Sequence, residues 1–75
     1  MKEVIIDISL LSFLVEFGYT EIITTTNEGF TCGELIQVYE IDKPKKITAQ
    51  ITNAHYIQKR KSGLLLYHLS ISYVV

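Results

Sequence analysis

Seventy-five residues with 48% apolar side chains make one domain, residues 1–75, near the lower size at which an apolar core holds without staples. Cys32 is the sole cysteine, which excludes an internal disulfide and a cysteine-rich metal site and fits a reduced, cytoplasmic setting. The net charge of −1 conceals a division: residues 1–42 hold all 8 acids against Lys2 alone, while residues 43–75 hold every other cation and no acid.

Glu3, Asp7 and Glu16 interrupt the opening stretch MKEVIIDISLLSFLVEFG, so it reads as folded structure rather than a leader. No run approaches the ~20 apolar residues of a membrane span. Val4, Ile6, Ile8 and Leu10 alternate with Ile5, Asp7 and Ser9, the period of a half-buried strand over 4–10. The period then changes. Leu10, Leu11, Leu14 and Phe17 fall on one stripe of a helix of about two turns, with Ser9 as its N-cap and Gly18 supplying the positive φ that ends it. TEIITTT at 20–26 is a β-branched strand closed by the turn letters NEG. GELIQVYEI at 33–41 is the next strand, followed by the turn DKPKK. ITAQITNAHYI and LLLYHLSISYVV, joined by QKRKSG, are the last two. The expected fold is α+β and β-dominated: a small curled sheet or β-barrel of about five strands with one short helix.

A hairpin centred near Arg60–Lys61 sets Ile51 opposite Ile71, Ala49 opposite Tyr73 and Ile47 opposite Val75, all on one face. The other face pairs Gln50 with Ser72 and Thr52 with Ser70, uncharged polar groups suited to solvent. The alternation fails at TNAHY, where Asn53 and His55 would point inward. A β-bulge near Asn53–Ala54 turns Ala54 and Tyr56 to the core instead.

Four segments in order, FLVEFGYTEI, GFTCGELIQVYE, ITAQITNAHYI and SGLLLYHLSI, carry a family resemblance over residues 10–72. They are similar to an ASCH-like domain of the PUA superfamily, and in particular to a small uncharacterised ASCH-like family of bacterial and phage proteins. The resemblance implies a PUA-like β-barrel that binds RNA or a modified nucleobase. Some ASCH proteins also hydrolyse the amide of an acylated cytidine with a lysine, a threonine and a glutamate. Thr20 and Glu21 match the last two, but the family's Gly-Lys-Lys-Thr-x-Glu-x-Arg segment is shortened here to GYTEIITT, without its lysine and arginine. A lysine in such a site supplies a nucleophile or a charge that orients the glutamate. The expectation is therefore a chain without catalysis.

Lys45, Lys46, Lys59, Arg60 and Lys61 are the expected phosphate contacts, with Tyr56 as a surface on which an unpaired base stacks. Lys46 and Lys59 lie up to ~43 Å apart on a straight strand at ~3.3 Å per residue, so the cations are expected at two loop tips rather than in one patch. Solubilising loop charge is the plain alternative. His55 and His68 fall nearly opposite each other, too few ligands for zinc, and neither metal nor cofactor is expected. Cys32 reads as a small buried residue. Glu16, Glu21, Glu28, Glu34 and Glu40 suit an acidic rim that docks on a basic protein surface or is simply solvated. Three functions are thus in view: an RNA- or nucleobase-binding module, a phage-type interaction protein that binds and inhibits a host protein, and an ASCH-type nucleoside amidohydrolase. The mean hydropathy of +0.25 leaves self-association and a monomer as even alternatives.

Overall fold

The computed structural model describes all 75 residues. Five strands form one sheet: β1 (Lys2–Ile5), β2 (Tyr19–Thr26), β3 (Leu35–Tyr39), β4 (Lys46–Lys59) and β5 (Leu65–Tyr73). Their order is β1-β3-β4-β5-β2. β1 runs parallel to β3, and every other pairing is antiparallel. The sheet curls into a half-barrel, the β-dominated α+β architecture that the strand periods predict. β1 and β2 are its two open edges. The single helix, α1 (Ile8–Phe17), joins those edges and lies on β2 and β5.

Period-two alternation builds the concave face. Val4, Ile22, Ile36, Val38, Ile47, Ala49, Ile51, Leu69 and Ile71 are buried there, with Leu14 of α1 and Phe30 closing the cluster. Each buried aliphatic side chain contributes roughly 1.5–3 kcal/mol relative to an exposed one. Leu10 and Leu11 flank Leu14 against this core. Phe17 does not follow them: it is 61% exposed, and its ring centroid lies 4.6 Å from that of Phe13. The stripe therefore ends one turn earlier than the sequence period predicts.

The helix also begins earlier. Asp7, not Ser9, is its N-cap, extended at φ −66° and ψ 147°. Its Oδ1 accepts from the Ser9 backbone N–H at 2.8 Å and from Ser9 Oγ at 2.7 Å. A carboxylate at a helix N-terminus satisfies a free amide and meets the positive end of the dipole, so Asp7 takes over the role expected of Ser9. The consequence is a strand cut at Ile5 and a helix of 10 residues rather than about two turns. At the other end Gly18 has φ 86° and its N–H donates to Leu14 O at 2.8 Å, the expected left-handed stop.

The β4–β5 register sets Ile51 opposite Ile71, Ala49 opposite Tyr73 and Gln50 opposite Ser72, as the facing patterns require. The pair of Ile47 with Val75 does not form. β5 ends at Tyr73, and the ladder closes with Val74 N–H on Thr48 O at 3.0 Å. The first bulge falls at Thr52, slightly before Asn53–Ala54, so Asn53 rather than Thr52 faces Ser70. The Thr52 hydroxyl instead donates to Ser70 O at 3.1 Å. Cys32 is exposed at this bulge, not buried: its Sγ donates to the Thr52 carbonyl at 3.1 Å. Beyond the bulge Ala54 packs on the core, while Tyr56 stays 48% exposed because the core ends beside it.

Candidate nucleic-acid interface

A second irregularity in β4, between Tyr56 and Gln58, re-aims the end of the strand. Tyr56 faces Tyr67 and Lys59 faces Leu65. Leu65 and Tyr67 are two apart in β5 and share a face, so Tyr56 and Lys59 share the concave face with them. The Tyr56 and Tyr67 ring centroids are 5.7 Å apart, and Tyr67 lies 5.6 Å from Phe30, both edge-on. This row of three rings runs from half-exposed Tyr56 inward to Phe30 and fixes the outermost ring. Gly29, at φ 84°, permits the close approach: a Cβ there would sit 3.1 Å from the Tyr67 hydroxyl oxygen.

Beside Tyr56 the hairpin turns through Arg60, whose N–H donates to Leu64 O at 2.7 Å and whose carbonyl accepts from Gly63 N–H at 2.9 Å. An open recess there is lined by Gln58, Lys59, Arg60, Lys61 and Ser62 alone. None of Lys59, Arg60 and Lys61 has an acidic partner. Lys46, at the other end of β4, is different. Its Nζ lies 2.9 Å from Glu3 Oε2 and 5.1 Å from the Tyr39 ring centroid. The bond to Glu3 raises its pKa above the usual lysine value. Lys45 makes no ion pair and lies next to Lys46 in the β3–β4 loop. Lys59, Arg60 and Lys61 thus come together around one recess, Tyr56 shares the concave face with Lys59 without lining that recess, and Lys45 and Lys46 stand apart from them.

Thr20 and Glu21 are neighbours on β2 and so point to opposite faces. Thr20 is turned inward and only 4% exposed. Glu21 is turned outward, with Oε1 3.0 Å from His68 Nε2. His55 stands directly opposite His68, so Glu21, His68 and His55 cross three neighbouring strands on the convex face. No group of His, Cys, Asp and Glu side chains is arranged to hold a metal ion. The Glu21–His68 contact escaped the sequence because it depends on the register of β2 against β5, strands separated by 38 residues of chain. Thr20 and Glu21 also line one groove, of about 380 Å³, with Ser9, Leu10, Phe13 and Tyr19, and no cation reaches it.

The five glutamates do not form a single rim. Glu34 is turned to Lys2, Oε2 to Nζ 2.9 Å, and also accepts from the Thr31 backbone N–H at 3.1 Å. The Lys2 hydrogen bond holds its carboxyl below the usual glutamate range. Glu21 is committed to His68, while Glu16, Glu28 and Glu40 stand on the helix and two loops.

The class defined by these features is a β-dominated α+β half-barrel with one unpaired basic hairpin. No protein-family model, no curated protein and no solved structure matches the chain. Nothing in these comparisons identifies an ASCH-like or PUA-like domain. No helix is long and apolar enough to cross a membrane.

Proposed function

We propose that this chain is a non-catalytic, cytoplasmic binding module that takes single-stranded RNA, or a modified nucleobase within it, on the β4–β5 hairpin. The observation that carries this reading is the set of three cations without acidic partners on the hairpin whose β4 strand also carries the half-exposed Tyr56. Lys59, Arg60 and Lys61 meet phosphates, and the Tyr56 face receives one unstacked base. Tyr67 and Phe30 hold the Tyr56 ring, so little side-chain freedom is lost when a base stacks. The ASCH-like residue order supports the same ligand class. Hydrolysis draws no support from Thr20 and Glu21, which lie on opposite faces of β2 with no lysine in their groove.

Fluorescence anisotropy with a labelled short RNA of mixed sequence tests the proposal. Three phosphate contacts give log affinity a slope of about −2 against log salt, at ~0.7 per contact for a single strand. Absence of binding at low salt would overturn it.

A further inference from the structure

The free edge of β2 is the least protected feature of the fold. Tyr73 N–H donates to Gly18 O at 2.8 Å, which fixes the parity of the ladder. Thr20, Ile22, Thr24 and Thr26 turn their backbone groups to β5, and Tyr19, Glu21, Ile23 and Thr25 turn theirs outward. None of those outward groups has a backbone or side-chain partner among the bonds outside the sheet. Natural edge strands are blunted by lysine, proline, bulges or shortness. β2 has none of these: it is 8 residues long, β-branched and unbulged in its register, and its Ile23 is 68% exposed.

Two separate recesses, one at each end, make up the trough of this edge. At one end it is the groove whose far wall is Leu10 and Phe13 of α1. At the other end Thr25 and Thr26 face Lys2 and Glu3 of β1 across a recess of about 370 Å³. We propose that the trough docks an extended segment of another protein, which adds to β2 as a sixth strand with apolar and basic residues alternating. The sheet edge supplies main-chain hydrogen bonds, the affinity source in strand addition, and the grooves choose side chains. Apolar positions enter beside Leu10 and Phe13. Basic positions are favoured by charge: Glu28 has no cationic partner and Glu21 meets only the His68 ring, whereas Glu3 and Lys2 are already paired with Lys46 and Glu34. A second copy of the chain fits less well, because pairing β2 with its own counterpart would set Glu21 and Glu28 against the like charges of the other copy. This surface meets the hairpin only at Leu64 and the Phe30 ring, and its test reads the β2 amides rather than RNA affinity, so failure of one proposal is distinguishable from failure of the other.

The test is amide hydrogen exchange by NMR on the full chain with a capped heptapeptide of alternating lysine and valine. The Tyr19, Glu21, Ile23 and Thr25 amides are expected to slow by about tenfold or more as they become paired. The same peptide with glutamate for lysine, and a version N-methylated at alternate residues, are expected to leave them fast. Ile23→Pro removes an outward N–H without costing a β5 bond and is expected to abolish protection. Should that variant fail to fold, Ile23→Lys, which repels the basic peptide, is expected to do the same. Equal protection by the acidic peptide, or none by the basic one, overturns the proposal. Protection in the peptide-free chain with a doubled mass also overturns it, by making the occupant a second copy.

Discussion

β4 is one continuous strand with two unlike halves. From Lys46 to Ile51 every second side chain is buried, and the one cation, Lys46, is held by Glu3. From Asn53 to Lys59 no residue is fully buried, and the cations at and beyond its end have no partners. The Thr52 bulge divides them. Its position teaches how a small sheet makes room for a site. Before the bulge β4 has β3 on one side and, from Ala49, β5 on the other, so both backbone edges are paired as the strand approaches the bulge. After it β3 has ended, β5 is the sole neighbour, and the inward face runs out of core to cover. Side chains there are free to serve a ligand because packing does not claim them.

The sharpest way to break this comparison is a pair of truncations. Ile51→Ala removes a fully buried side chain and is expected to cost ~2–5 kcal/mol of unfolding free energy in urea titrations. Ile57→Ala, an exposed isoleucine six positions along the same strand, is expected to stay within roughly 0.5 kcal/mol of the parent. Equal losses would mean that the distal half is as much a part of the core as the proximal half. Tyr56→Ala separates stability from binding. It is expected to weaken short-RNA binding by ~1–3 kcal/mol, the usual worth of one base–aromatic stack, while the urea midpoint moves little.

The proximal half of β4 was legible in the sequence, and the distal half only in outline. Ile47, Ala49 and Ile51 alternate without fault, and their partners in β5 do the same, so the register followed from matching apolar faces. At TNAHY the alternation breaks, which signals a bulge but not its position, because Thr52 and Asn53 are equally tolerable on a solvent face. The N-cap differs from the sequence expectation for a related reason: Asp7 and Ser9 are both good caps, and local sequence does not choose between them. Glu21 meeting His68, and the open edge of β2, are matters of strand order, which no local pattern encodes.

A smaller effect tests whether the two basic ends of β4 differ as described. Lys59→Ser, which removes an unpaired cation, is expected to reduce the salt slope of RNA binding by about 0.7. Lys46→Ser is expected to leave that slope unchanged, because Glu3 already neutralises its charge beside the Tyr39 ring. A drop of similar size in both variants would merge the two ends into one interface.

The smallest expected effect is a pH dependence that belongs to the framework alone. Asp7 is held below its ordinary value of 3.8 by the backbone and hydroxyl hydrogen bonds of Ser9, and Glu34 below 4.5 by the bond from Lys2. Both folded values are depressed, so each carboxylate contributes stability that is fully present above its unfolded pKa. That contribution fades as pH falls through the lower folded value, below about pH 4. Thermal melting is therefore expected to be flat from near neutrality down to about pH 5 and to decline on further acidification. Asp7→Asn retains a capping oxygen but not the charge, and should flatten part of that decline. Neither carboxylate touches the hairpin, so Tyr56→Ala and Lys59→Ser should leave the acid limb as it is. An acid limb that shifted with the hairpin variants would show that the distal half of β4 is coupled to the caps and ion pairs that hold the rest of the sheet.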